Sequence, residues 1–199
     1  MDPVVLITVD CLRSDHLGCY GYDRDTSPNI DNFPDSAMVY ENAYANCPGT
    51  RWAFQSLHTG VPTIQIDGLG IPAEIEPLAS RFKEPGYHTG GFAVNGFVSR
   101  EYGYDTGFDT FYSVADTVSK TDRWVKDLGK WVNETLDNEF VRDRILFPVY
   151  NHLWSSDGDD ESQFTPDHSD VDTVDHARRF VTQHRDEAYF LWVHLMDAH

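Results

Sequence analysis

The sequence predicts an α/β domain with a mainly parallel sheet and helices on both of its faces. Three observations predict it. Five of the six residues from Val4 to Val9 are apolar, and four of them (Val4, Val5, Ile7 and Val9) are β-branched, the pattern of a strand buried on both sides. Ala188 to Leu195 is a second apolar run of strand length. Between the two, helical and strand-like patterns alternate, as they do in a sheet built from parallel crossovers.

Each element has its own signal. Ser27-Pro28 before Asn29-Ile30-Asp31-Asn32-Phe33 reads as a cap with proline at the first helical position. Val39 to Ala45 reads as a short strand. Asn46-Cys47-Pro48-Gly49-Thr50 is a loop opening a helix over Arg51 to His58, with Thr50 as the cap and Gly60 and Pro62 as the stop. Pro77 to Lys83 predicts a helix ending near Pro85-Gly86, and His88 to Val94 a strand. Trp124, Leu128, Trp131, Val132 and Leu136 recur at helical spacing, so their aromatics belong to a core face. Ser155 to Asp170 is acidic and reads as a surface loop; Val171, Val174, Ala177, Phe180 and Val181 mark a helix leading to the last strand. No repeat or linker divides the chain, so residues 1–199 read as one domain. That domain is expected to be incomplete, since the sequence stops at the polar end of a buried strand.

The chain has 199 residues, 33 acidic and 15 basic, for a formal net charge of -18. That surface repels nucleic acid and anionic membranes, and it suits a high-salt cytoplasm where ions screen self-repulsion. An anionic substrate would need a local cation, most simply a metal. Three cysteines, Cys11, Cys19 and Cys47, form no close pair, which predicts reduced thiols and a cytoplasmic protein. Neither a leader nor a membrane span is expected.

Polar groups cluster at predicted strand ends: Asp10 after the first strand, the Cys47 to Thr50 loop, and Asp197 with His199 after the last. Ligands gather at the carboxyl ends of parallel strands. Thr50 at a helix start is suited to anions, and metal coordination can activate its hydroxyl. Asp10 offers the hard oxygens that Ca²⁺ and Mg²⁺ prefer. Taken singly, each also has a plain reading: Asp10 and Thr50 as caps, His199 as an exposed terminal residue.

Ordered motifs add to this. Val9-Asp10-Cys11-Leu12-Arg13-Ser14-Asp15-His16-Leu17-Gly18-Cys19-Tyr20-Gly21-Tyr22 resembles the opening of the sulfatase family, in the alkaline phosphatase superfamily. Ser27-Pro28-Asn29-Ile30-Asp31, Tyr40 to Ala45, Thr59-Gly60, Gly86-Tyr87-His88-Thr89, Gly107-Phe108-Asp109 and His194 to His199 match the family in its order. The resemblance implies the N-terminal part of a metal-dependent hydrolase of sulfate or phosphate esters. It implies Asp10 as a metal ligand and His199 as a contact to the anionic head of a small-molecule or glycan ester. Sulfatases oxidise a cysteine in Cys-x-Pro-x-Arg to formylglycine. Cys47 and Arg51 have that separation, but Pro48 follows Cys47 at once; counting back from Thr59-Gly60 puts Thr50 at the nucleophile position instead. Thr50 is preferred, and formylglycine cannot form from threonine. Cys11 stands where the family often has a second aspartate. The family's Lys and His after the Gly86-Tyr87 strand are missing, with Asn95 nearby either as a substrate contact or as support for a turn. The metal is Ca²⁺ or Mg²⁺, with Mn²⁺ or Zn²⁺ as alternatives. Two rival readings remain open: a non-catalytic sulfatase-like binding module, and a phosphotransferase using the same threonine.

Overall fold

The computed structural model describes residues 1–33, 37–113, 170–196 and 198. They all belong to one unit, formed by Met1–Asp116 and His168–His199. Four strands make its sheet: β1 (Val4–Val9), β2 (His88–Ala93), β3 (Thr110–Ser113) and β4 (Tyr189–Leu195). Their spatial order is β1-β4-β2-β3, and every pairing is parallel. Val4 is level with Phe190, and His88 with Tyr189. Among the described residues four α-helices accompany the sheet: α1 (Pro28–Asp31), α2 (Thr50–Thr59), α3 (Leu78–Lys83) and α4 (Asp170–Gln183).

The two-residue period of β4 divides the core into two layers. Phe190 and Trp192 point to one face, where they pack with Phe54 of α2, Ala79 of α3, Ala93, Val98, Tyr104 and Phe111. Tyr189, Leu191 and Val193 point to the other, against Ala177 and Phe180 of α4 and Phe92 of β2. Helices therefore cover both faces, as the alternation predicts. Gly90 and Gly91 let both layers approach β2 closely. A Cβ at Gly90 would meet the Phe180 ring at 3.0 Å, and one at Gly91 would meet Phe111 at 2.9 Å.

Several expectations need correction. β1 forms where predicted but is not buried on both faces: Val5 is 48% and Ile7 61% exposed. Among the described residues it pairs only with β4, so one flank of the run has no neighbour. Val39 to Ala45 is not a strand; no partner strand meets it, and Val39, Tyr40 and Tyr44 are exposed. β3, by contrast, was not predicted, because its four residues Thr110–Ser113 are too few to show a period. In α4 the buried face is Asp170, Thr173, Ala177 and Phe180, while Val171 and Val174 are exposed. Asp170 is thus no surface-loop residue: it is buried, and its carboxylate accepts the Met196 backbone N–H at 2.8–2.9 Å. Ser27 precedes Pro28 as predicted, but its hydroxyl donates to Asp31 Oδ2 at 2.8 Å and accepts the Gly18 N–H at 3.2 Å, capping no amide of the helix. The helix predicted around Trp124 to Leu136, the Ser155 to Asp170 loop up to residue 169, and both Asp197 and His199 lie outside the described residues.

Candidate functional site

The carboxyl edge of the sheet carries the site. Asp10 continues the β1 ladder by one residue, its amide donating to Leu195 O at 2.8 Å. The chain then turns sharply. Cys11 has φ 54°, a left-handed conformation that a side chain disfavours. The turn brings the Cys11 N–H back onto Asp10 Oδ1 at 2.9 Å, fixing one oxygen of the carboxylate.

The other oxygen faces three groups. The Thr50 hydroxyl donates to Asp10 Oδ2 at 2.9 Å, the Asn95 amide nitrogen lies 3.5 Å away, and His194 Nε2 lies 3.8 Å away. Each comes from a different element. Thr50 is the first residue of α2, with Gly49 as the cap, so the predicted helix start shifts by one position. A Cβ at Gly49 would meet the Trp52 ring at 2.8 Å, so the tight entry into the helix requires glycine there. Phe54 anchors α2 between Trp192 and His194, with ring centroids 5.7 and 4.6 Å away. Asn95 follows β2, and its Oδ1 accepts the Phe97 N–H at 2.9 Å, which turns its NH₂ toward Asp10. That NH₂ also lies 3.6 Å from Met196 Sδ.

His194 is fully buried on β4. Its Nδ1 pairs with Thr8 Oγ1 at 3.1 Å, and the Trp192 indole donates to the same oxygen at 3.2 Å. Its Nε2 has no hydrogen bond. Desolvation holds the imidazole below its usual pKa, opposed by the Asp10 carboxylate, so it stays neutral at pH 7. At Cys11, desolvation and the adjacent Asp10 charge push the thiol up, away from the thiolate that would bind a metal. An open cavity of about 540 Å³ flanks the turn, lined among others by Val9, Cys11, Arg13, His16 and Ala198.

Of the predicted site residues, Asp10, Thr50 and Asn95 come together; His199 lies outside the described residues. Cys47 sits in the loop before α2, and the side chain that meets Asp10 is that of Thr50. Sequence reasoning missed Thr8 and His194 as a pair. Their signal is slight: each lies two residues before a polar or site-edge position on its own strand. It also weighed Arg51 only for its spacing from Cys47. The Arg51 guanidinium stacks 4.1 Å from the Phe97 ring centroid, next to Asn95. The Asp10 carboxylate and the Thr50 hydroxyl are hard oxygen donors of the kind Mg²⁺ and Ca²⁺ prefer, so the residues present fit part of such a shell. Among the described residues, the group of three His, Cys, Asp or Glu ligand atoms that converge lies elsewhere, at His88, His184 and Glu187.

Comparison with known proteins supplies the context. A family model described as Sulfatase matches residues 3–199. An N-acetylgalactosamine-6-O-sulfatase of Bacteroides thetaiotaomicron is 23% identical over 98% of this chain and 48% of its own length. An arylsulfatase of Clostridium perfringens is 32% identical over 43% of this chain and 19% of its own. The chain thus spans about half or less of these curated relatives. Among solved structures, a phosphonate monoester hydrolase of Agrobacterium radiobacter superposes with TM-score 0.62 at 18% identity, over 100% of this chain and 41% of the other. At that identity the superposition establishes the alkaline phosphatase-like fold.

Proposed function

The chain belongs to the sulfatase family, and from that premise we propose that it forms the N-terminal part of a metal-dependent hydrolase of sulfate or phosphate esters. One observation carries the reading: the Thr50 hydroxyl, at the amino end of α2, donates to Asp10 Oδ2 at 2.9 Å. A hydroxyl at that position faces free helix amides that favour an approaching anion. Asp10 and Thr50 would hold the divalent ion, with Ca²⁺ and Mg²⁺ preferred over Mn²⁺ and Zn²⁺. When bound, the ion supplies positive charge against the ester's anionic head and acidifies a coordinated hydroxyl.

The chain's own residues do the rest. Thr50 Oγ1 would form the bond to phosphorus or sulfur as the bond to the alcohol oxygen breaks, its proton passing through water to that departing oxygen. A second water would then cleave the Thr50 ester, one of its protons returning to Thr50 Oγ1 and its oxygen leaving in the inorganic anion. Asn95 steadies Asp10 and presents its NH₂ to the anion, and His199 would contact the same head. The Arg51 guanidinium, held over Phe97, adds a cation beside the helix start. A threonine cannot become formylglycine, which favours phosphoesters over sulfate esters. Cys11, Cys19 and Cys47 are free thiols, which supports a cytoplasmic protein.

The test is hydrolysis of nitrophenyl phosphate and nitrophenyl sulfate by the gene's complete product, with Mg²⁺, Ca²⁺, Mn²⁺ or Zn²⁺ added in turn. Turnover that chelator abolishes and Thr50→Ala removes is expected; activity untouched by Thr50→Ala takes Thr50 out of its role. One observation favours a second reading, a non-catalytic binding module: Cys11 offers no hard donor beside Asp10. Calorimetry on the complete product separates the two, since a module that binds no divalent ion at this edge is not the enzyme.

A further inference from the structure

At the opposite, amino edge of the sheet, three side chains from separate positions converge on one point. His88 opens β2, His184 extends the end of α4, and Glu187 lies in the turn before β4. His184 Nδ1 lies 2.8 Å from Glu187 Oε2, and His88 Nε2 lies 3.0 Å from the same oxygen. The two imidazoles stack with centroids 4.3 Å apart and planes 22° apart, so both present a ring nitrogen on the same side. All three ligand atoms lie within 4.8 Å of one another.

The backbone around them is tied down. The His88 N–H donates to Ala188 O at 3.0 Å, the Glu187 N–H to His184 O at 2.9 Å, and the His184 N–H to Phe180 O at 3.1 Å. His184 is anchored further by its ring packing on Phe180, 4.6 Å away. The donors therefore stand on a strand end, a helix end and a tight turn, with no long loop among them.

We propose that His88, His184 and Glu187 form a divalent transition-metal site that takes Zn²⁺, with water as the fourth ligand. Two imidazole nitrogens and one carboxylate are a zinc-type set, unlike the oxygen donors around Asp10. A tetrahedral shell places ligand atoms about 3.3 Å apart. The present contacts of 2.8 and 3.0 Å open only slightly, and the two nitrogens close by at most about 1.5 Å. The ion would take the place of the direct His184–Glu187 and His88–Glu187 contacts, and a net charge of -18 raises the local cation concentration. Bound there, it pins the start of β2 to the α4–β4 turn. The site is independent of the ester chemistry proposed for the other edge.

The experiment is a Zn²⁺ titration by calorimetry on the complete product, with Co²⁺ absorption as a second readout. Three variants are compared: the double change His88→Gln with His184→Gln, Glu187→Gln alone, and Asp10→Ala. The expected result is micromolar Zn²⁺ binding and tetrahedral Co²⁺ bands that survive Asp10→Ala. Both should weaken roughly tenfold or more in Glu187→Gln and vanish in the double variant. Glu187→Gln keeps the shape of the turn, so it remains informative if the double variant fails to fold. Zn²⁺ binding or Co²⁺ bands lost in Asp10→Ala and kept in the histidine and Glu187 variants overturn the proposal, as does the absence of micromolar binding in the unaltered protein.

Discussion

The two edges of the sheet hold polar clusters of similar size and opposite character. At the carboxyl edge Asp10 is 13% exposed and His194 fully buried, and His194 Nε2 is left without a partner. At the amino edge His88 is 45% and Glu187 53% exposed, and the polar atoms satisfy one another. The six residues of β1 or β2 separate the edges by about 20 Å. The difference teaches how the fold divides its chemistry. Buried groups with spare hydrogen-bonding capacity are costly unless a ligand completes them. Exposed and mutually paired groups cost little and contribute little to stability until an ion takes the place of their shared protons.

The largest expected effect tests the carboxyl edge. In the complete product, Thr50→Ala should lower kcat by roughly 10³-fold and Asp10→Asn by roughly 10²-fold or more, with Tm little changed. Steady-state kinetics alongside a thermal melt reads both, and a loss of Tm in place of kcat would make this edge merely structural.

A second contrast lies beneath that edge. His58 of α2 is fully buried between Trp192 and Tyr104, with neither ring nitrogen bonded, and burial pushes its pKa down to about 3. The unfolded chain titrates near 6.5 and so binds more protons than the folded one between pH 6.5 and 3. Stability must therefore fall as pH drops through that window, by about 2 kcal/mol between pH 6.5 and pH 5. Denaturant midpoints across pH should show this slope, and His58→Phe should flatten it. An equal slope in the variant would assign the acid sensitivity elsewhere.

Thr8→Val comes next. It strips the shared partner from the Trp192 indole and from His194 Nδ1, at a cost of about 1–3 kcal/mol in urea unfolding. It should also raise KM or lower kcat by releasing His194. The smallest effect belongs to the amino edge: Glu187→Gln should leave kcat unchanged and Tm nearly so without metal. A marked fall in kcat there would dissolve the division between the edges.

The parallel sheet was legible because apolar runs of strand length mark both Val4–Val9 and Tyr189–Leu195, although only the second is buried as its pattern suggests. Asp10 and Thr50 were legible because a carboxylate ending a strand and a hydroxyl opening a helix each have a local signal. Exposure of β1, the absence of a strand at Val39 to Ala45, and the burial of Asp170 were not legible. Each depends on which chain lies alongside, and no local pattern encodes a neighbour. The His88, His184 and Glu187 cluster escaped notice for the same reason, since His184 lies 96 positions after His88.

The amino-acid sequence by itself determined the type of most elements, the acidic composition and the two residues at the head of the candidate site, because period, charge and capping are properties of short segments. Only the tertiary structure decided that Thr50, Asn95 and His194 meet the Asp10 carboxylate, with Thr8 behind His194, while His88 and His184 meet that of Glu187. Parallel register brings distant strand ends level with one another, and that alignment is set by pairing across the sheet, where no single stretch of chain holds the information.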